Sequence, residues 1–310
     1  MSLADDHNTV RRPLAEPVDV GRVGIWSNPL RRGDEAEAVA AIREIEALGY
    51  GAAWLPGGEE GLGERLSAVL GATRQLPVAT GIVNIWTHPA ARTAAMFSEV
   101  DAAHPGRLVL GVGVGHAPLV DAGHPGRYRE PLASTARYLE ELDSATPQVP
   151  RSRRVLAAFG PKMLELAGRE AVGAHPYLTA PSHTAWARSI LGPDALLACE
   201  QHAVLEPDPV VARAIARSYM TTYWSLPNYL NNFRRMGFAD ADFEDGGSDR
   251  LIDGLVAWGD EDAVLARAQE HFDAGADHVC IQVLTPGRIG FPLAEWRRLA
   301  VAFGLPTRGS

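Results

Sequence analysis

The residues best suited to chemistry in this chain lie between Gly106 and Pro118. There Leu108-Val109-Leu110 runs into glycine at every second position (Gly111, Gly113, Gly115) and ends at His116. Such an apolar run suits a strand buried on both faces. Glycine inside a strand gives up packing and entropy, so it marks a place where a backbone or a ligand comes close. Two readings stay open: a flat ligand lying over the face of Gly111, Gly113 and Gly115, or a tight barrel interior where small residues make room for large neighbours. His116, at the strand's C-terminal end, titrates near neutrality. It is the candidate for proton transfer, or for a hydrogen bond to a bound group.

A second stretch, Phe159-Gly160-Pro161-Lys162, reads as strand, glycine turn and helix start. Backbone N–H groups and the positive end of the helix dipole favour an anion there, phosphate above all. Thr179, ending the next strand, adds a hydroxyl. Lys162 is the only lysine against 28 arginines, a codon bias of GC-rich bacterial type. His104 and His175 adjoin prolines and read as structural, while His124 and His183 fall in loops. No His-x-Glu-x-x-His, Gly-x-Ser-x-Gly or Walker pattern occurs, so no metal is expected.

These residues must be positioned by a chain of 310 residues, 46% hydrophobic, with a formal net charge of −9. The negative balance argues against nucleic acid or an anionic membrane as main partner and leaves a small organic molecule. No apolar run approaches the roughly 20 residues of a membrane span. The N-terminus has charges but no apolar core of a signal peptide. Cys199 and Cys280 sit in apolar segments and read as buried thiols of a reduced, cytoplasmic protein.

Residues 1–20 carry no periodicity and read as a mobile arm, with one domain expected over 21–305. Strands are predicted at Val23–Trp26, Ala52–Leu55, Val78–Ile85, the glycine strand, Val155–Ala158, His175–Thr179, Ala195–Cys199 and His278–Leu284. Helical stripes lie between them: Val39, Ile42, Ile45 and Leu48 after Asp34, and others through Leu66, Phe97, Tyr138 and Leu166. Ser182 is the expected cap of the helix after strand six, and Asp260 that of a last helix ended by Gly275. Residues 221–250 interrupt the rhythm with aromatic residues. Eight strands alternating with helices predict a closed parallel (β/α)8 TIM barrel, with a doubly wound open sheet as the alternative. No Gly-x-Gly-x-x-Gly follows the first strand, which weakens a dinucleotide fold.

Ala91 to Asp101 followed by Gly106–Gly113 closely resembles the strand-four signature of the bacterial-luciferase-like oxidoreductases. Val155–Gly168 and Gly173–Leu178 resemble the branch that uses the deazaflavin coenzyme F420. The likeness runs from about Val23 to Leu284. It implies a (β/α)8 barrel with an insertion after strand seven, matching 221–250, and a homodimer. It further implies a non-prolyl cis bond at Gly81-Ile82 in a bulge of strand three, against which the coenzyme ring lies. Asn84 would contact the ring, Gly113, Val114, Gly115 and His116 would line the tail, and Phe159, Gly160, Pro161 and Thr179 would surround the phosphate. The branch's Asp-His pair after strand two is replaced by Leu55-Pro56-Gly57-Gly58, and its strand-four glutamate by His116. Both departures argue against a sugar phosphate. Trp26, Trp54, Trp86 and Tyr177, with Trp224 from the insertion, suggest an apolar organic substrate instead. The implied activity is hydride transfer between F420 and that substrate. An FMN-dependent monooxygenase and a non-catalytic coenzyme-binding protein are the alternatives.

Overall fold

In the computed structural model, residues 17–308 are described, apart from Glu59, His124 and Ile289. The first sixteen residues of the expected arm lie outside them. Ten strands form: β1 (Val23–Trp26), β2 (Ala53–Leu55), β3 (Val78–Thr80), β4 (Val83–Asn84) and β5 (Leu108–Gly113), then β6 (Arg154–Leu156), β7 (Gly173–Ala174), β8 (Leu196–Val204), β9 (Val256–Trp258) and β10 (His278–Val283). The helices through the first half are α1 (Pro29–Arg32), α2 (Glu35–Ala47), α3 (Leu62–Gly71), α4 (Ala90–Ala103), α5 (Ala117–Gly123) and α6 (Pro131–Ser144). The second half supplies α7 (Pro161–Glu170), α8 (Pro181–Leu191), α9 (Pro209–Met220), α10 (Pro227–Arg235), α11 (Asp249–Leu255), α12 (Glu261–Asp273) and α13 (Leu293–Ala302).

Every pairing is parallel, in the order β10-β1-β2-β3-β5-β6-β7-β8, and β10 pairs β8 from His278↔Ala198 to Val283↔Ala203. That last pairing closes the ring, so the fold is a (β/α)8 barrel and not the open sheet. Parallel neighbours need crossover helices, and the helices supply them while covering the outer faces. Ile42 and Ile45 of α2, Leu66 and Leu70 of α3, and Leu139 and Leu142 of α6 are fully or almost fully buried on the barrel wall. Asp34 accepts from Glu37 N, and Asp260 from Ala263 N, as caps of α2 and α12.

The cis bond Gly81-Ile82 is present as the resemblance implies, and at it strand three divides into β3 and β4. Ala79 faces Val109 and Val83 faces Val112, so four steps on one strand match three on the other: a bulge of one residue. Three expectations need correction. Strand six is only Gly173–Ala174, because Pro176 has no N–H for a ladder and Leu178 adopts φ +56°. Strand seven runs on to Val204, since β10 takes one edge and β9 (Val256–Trp258) takes the other beyond the short β7. α8 is capped at Ala180 with Pro181 in its first turn, not at Ser182, and a further helix, α13, follows β10. Tyr50 donates to Trp296 O at 2.7 Å and fastens α13 beside α2.

The lower interior is filled by Val20, Trp54, Ala79, Val109, Val155, Ala198 and Cys280. Val20, in the stretch expected to be a mobile arm, is 4% exposed. His278 donates from Nδ1 to Gly21 O at 2.8 Å and accepts from Trp54 Nε1 at 2.9 Å. His175 stacks on Trp54 at 4.2 Å and donates to Ala198 O. On the outer side, His271 bonds Thr184 Oγ1 at 2.8 Å and Gln201 Oε1 at 2.9 Å.

Burial lowers the pKa of His175, His183 and His278 to about 4, and that of His271 to about 3. Their native form is therefore neutral. Between pH 6.5 and 4 the unfolded chain takes up protons that the native barrel refuses, so stability falls as pH falls through that window. Each such histidine contributes on the order of 1.4 kcal/mol per pH unit. Urea unfolding at pH 7.5, 6 and 5 should show a slope of several times that value. A flat profile would mean these imidazoles are protonated in the native state.

Candidate active site at the barrel mouth

Parallel barrels carry their chemistry where the strands end. Here the ends of β1, β7, β8 and β10 bring together Trp26, Tyr177, Glu200, His202 and Gln282. The Tyr177 ring lies 5.2 Å from Trp26 and 5.2 Å from His202. Tyr177 donates to Gln282 Oε1 at 2.8 Å and accepts from Tyr223 Oη at 3.2 Å. Glu200 and His202 are two residues apart on β8, so both point inward. Neither is exposed, and His202 Nδ1 lies 2.8 Å from Glu200 Oε1. The other Glu200 oxygen accepts from Leu178 N at 2.9 Å, which holds the left-handed turn at Leu178.

The insertion lies over this group. Tyr219 of α9 packs 5.2 Å from His202 and accepts from Gln282 Nε2. Tyr229 of α10 touches Tyr223 at 4.7 Å, Phe159 at 5.1 Å and His116 at 5.5 Å. His116 Nδ1 is 3.2 Å from Asn228 Nδ2, so it accepts there and leaves Nε2 to carry the proton. Burial lowers the His116 pKa, so the ring is neutral at pH 7. His116, Phe159 and Tyr177, far apart in sequence, thus share one aromatic surface.

Of the two readings the glycine spacing left open, the contacts at Gly111 and Gly113 fit close packing. A Cβ on Gly111 would stand 1.9 Å from Thr80 O, and one on Gly113 would stand 2.9 Å from Ile82 and Ala157 side-chain atoms. Gly115, at φ +58°, faces Asn84 Nδ2. The missing side chains at Gly111 and Gly113 therefore make room for the bulge of β3 and β4. Thr80 Oγ1 stitches that bulge, accepting from Gly111 N at 2.8 Å and donating to Gly111 O at 3.0 Å. Gly81 in turn faces Trp26 Nε1 and His175 Nε2, both buried and unpartnered among the described residues.

Two of the four expected substrate residues belong elsewhere. Trp54 is fully buried in the lower interior, and Trp86 turns to the flank, where it donates to Val114 O at 2.9 Å and packs on Tyr128. Trp224 bonds Gly246 O within the insertion. Trp86 also lines a cleft of about 170 Å³ with Ile85, Pro89 and Arg137, and a second, of about 280 Å³, lies by Trp258 and Arg267. Neither cleft is at the mouth, which tyrosine side chains fill.

The anion turn keeps its expected geometry. Gly160 is the N-cap of α7, Pro161 follows, and no side chain caps the helix. The first-turn N–H groups of a helix have no intrahelical partner. Thr179 Oγ1 is buried without a partner among the described residues, and nothing lies within 4 Å of a Cβ placed on Gly160. His183 Nε2 donates to Phe159 O at 3.1 Å and fixes the turn. Lys162 is exposed. The insertion again contributes: Met236 Sδ accepts from Ala180 N, and buried Asn232 is held at Oδ1 by Arg235. No group of three or more metal-ligating side chains occurs among the described residues, nor does any described helix have the length and apolarity to cross a membrane.

A closed parallel barrel with aromatic, imidazole and carboxyl groups gathered at the ends of its strands has the layout of a barrel enzyme. The profile of the luciferase-like monooxygenase family matches residues 22–278, and the chain belongs to that family of oxidoreductases. Among solved structures it is similar to an F420-dependent secondary alcohol dehydrogenase held with an F420–acetone adduct (15% identity, TM-score 0.67, 91% of this chain and 98% of that one). It is similar also to the coenzyme F420 dependent tetrahydromethanopterin reductase of Methanopyrus kandleri (18%, 0.68, 93% and 98%). A third is the oxygenating constituent of 3,6-diketocamphane monooxygenase from Pseudomonas putida, with FMN bound (13%, 0.66, 93% and 98%). At these identities the likeness concerns the fold. No curated protein sequence matches the chain.

Proposed function

We propose that this protein is an F420-dependent oxidoreductase acting on an apolar organic substrate at the barrel mouth. The observation that carries the reading is the uncapped start of α7 at Gly160, with the unpartnered Thr179 hydroxyl beside it. An N–H cluster at the end of a helix dipole, next to a spare hydroxyl, suits a phosphate. Phe159, Gly160, Pro161 and Thr179 would hold the coenzyme phosphate. Gly81, Ile82 and Asn84 would border the ring, and Gly113, Val114, Gly115 and His116 the tail. When bound, the deazaflavin supplies the two-electron chemistry at its C5.

The chain's own residues orient the reactants and exclude water. His116, neutral and with its proton on Nε2, is suited to donate a hydrogen bond to a bound group rather than to carry charge. Trp26 and Tyr177 would border the substrate. The tyrosines that fill the mouth sit on α9, α10 and the turn between them, so a ring is admitted by displacing insertion side chains and not strands.

Titration of the purified protein with F420 and with FMN, followed by coenzyme fluorescence, tests this. Micromolar affinity for F420 and none for FMN is the expected result. The reverse would select an FMN-dependent monooxygenase, and binding of neither would leave a non-catalytic family member.

A further inference from the structure

We propose that Tyr177, His202 and Glu200 form a proton relay opening on the barrel mouth at the Tyr177 hydroxyl, which makes Tyr177, not His116, the acid–base residue toward substrate. This deepens the oxidoreductase reading above and rests on it. The three groups are neighbours at the barrel mouth. Tyr177 Oη is 3.4 Å from His202 Nε2, and His202 Nδ1 is 2.8 Å from Glu200 Oε1. A carboxylate on one imidazole nitrogen and a hydroxyl on the other is the arrangement that stabilises a transient imidazolium. Glu200 and His202 have no exposed surface, whereas Tyr177 is only half-buried, so of the three residues Tyr177 alone has surface at the mouth.

The local bonding is that of a device that changes state. The Glu200–His202 contact lies off the N–H direction, so Glu200 Oε1 and His202 Nδ1 both lack an aligned hydrogen-bond partner. A buried carboxyl–imidazole contact that served structure alone would cost desolvation and could give way to apolar residues without loss. The single Tyr177 proton has two acceptors in reach, Gln282 Oε1 at 2.8 Å and His202 Nε2 at 3.4 Å, and rotation of the hydroxyl exchanges them. Burial, and then the neighbouring Tyr223, Tyr219 and Glu200, raise the Tyr177 pKa, so at rest the phenol keeps its proton.

The chemistry this fits is oxidation at a carbon bearing a hydroxyl group, or its reverse. Tyr177 passes its proton to His202 Nε2 and takes the substrate's hydroxyl proton. The O–H and C–H bonds break, a C=O bond forms, and the two electrons leave as hydride to an oxidised deazaflavin as co-reactant. His202 and Glu200 act as positioning residues. The titratable groups packed around His202 and its relay partners are Glu200 on its own strand, Tyr177 from the loop after β7, Tyr219 from α9, Tyr223 from the insertion, and Cys280 beside Glu200.

The test has a coenzyme-free arm and a loaded arm. In the apo protein, ¹⁵N-imidazole NMR follows His202, identified by its loss in His202→Gln. Glu200→Gln should lower its pKa by about one unit or more, and Tyr177→Phe should shift its Nε2 resonance, with circular dichroism unchanged in both. If neither variant moves His202, the relay is overturned whatever coenzyme the protein takes. In the loaded arm, F420 reduction is measured with 2-propanol or cyclohexanol as probe. Tyr177→Phe should lower kcat about 100-fold or more at similar KM, and Glu200→Gln should displace the acidic limb of the pH profile. A Tyr177→Phe variant at wild-type rate would reject the relay while sparing the coenzyme reading. Loss of F420 binding in the wild type would reject the coenzyme reading, with the NMR arm still deciding the relay.

Discussion

Gly160→Asp is expected to weaken coenzyme binding at least about 100-fold and to leave the barrel's unfolding unchanged or slightly strengthened. The position tolerates the side chain: nothing lies within 4 Å of the added Cβ, and φ −95°, ψ 162° is extended backbone that any residue adopts. Aspartate is moreover a good N-cap, and α7 has no side-chain cap of its own. What stabilises the helix is what harms the site. The carboxylate takes up the N–H groups meant for the phosphate and sets a like charge about 5 Å from it. At an effective dielectric near 20 that repulsion is about 3 kcal/mol, which corresponds to roughly two orders of magnitude in affinity. Gly160→Asn separates the two effects, because it caps without charge and should lose less than about tenfold. Fluorescence titration with F420, paired with urea unfolding, reads both quantities. An Asp variant with unchanged affinity would remove the anion turn from the site.

The fold was legible in the sequence wherever local pattern and burial agree. Val23–Trp26 is an unbroken apolar run and forms β1 as read, and the stripe through Val39, Ile42 and Ile45 forms α2. The reading failed where a buried residue is polar. Glu200, Gln201 and His202 look like the end of a strand, yet all three are buried inside β8. Gln201 is satisfied by His271 and by the backbone of Leu255, partners 54 or more residues away. Glycine spacing announced a close approach along β5 but not the visitor, because the register between β3, β4 and β5 exists only in the assembled sheet. Aromatic residue type says nothing of depth, so Trp54 and Trp26 look alike in sequence while one fills the base and the other borders the mouth. The anion turn was legible because glycine, proline and helix start are adjacent in the chain. The Tyr177–His202–Glu200 group was not, since Tyr177 meets the other two only when β7 and β8 lie side by side.

Gly111→Ala should be the most destabilising single methyl in the chain's glycine strand, costing about 4 kcal/mol or more, beyond the usual 1–3 for overpacking. Its Cβ would stand 1.9 Å from a backbone carbonyl, Thr80 O, and not from a side chain that can rotate away. The carbonyl cannot retreat cheaply. Thr80 Oγ1 bonds both the N–H and the C=O of Gly111, and Ala79 and Val83 are locked to Val109 and Val112 on either side. Relief would open the ladder of β3 against β5 and expose backbone groups with no other partner. Gly113→Ala meets only Ala157 Cβ and the end of Ile82 at 2.9 Å, so it should cost about 1–2 kcal/mol. Gly160→Ala, facing open space, should change stability by about 0.5 kcal/mol or less. Urea midpoints followed by tryptophan fluorescence give the order directly. A glycine strand kept bare for a ligand would behave oppositely, with Gly111→Ala folding normally and losing coenzyme affinity, so the same three variants decide between packing and binding as the reason for these glycines.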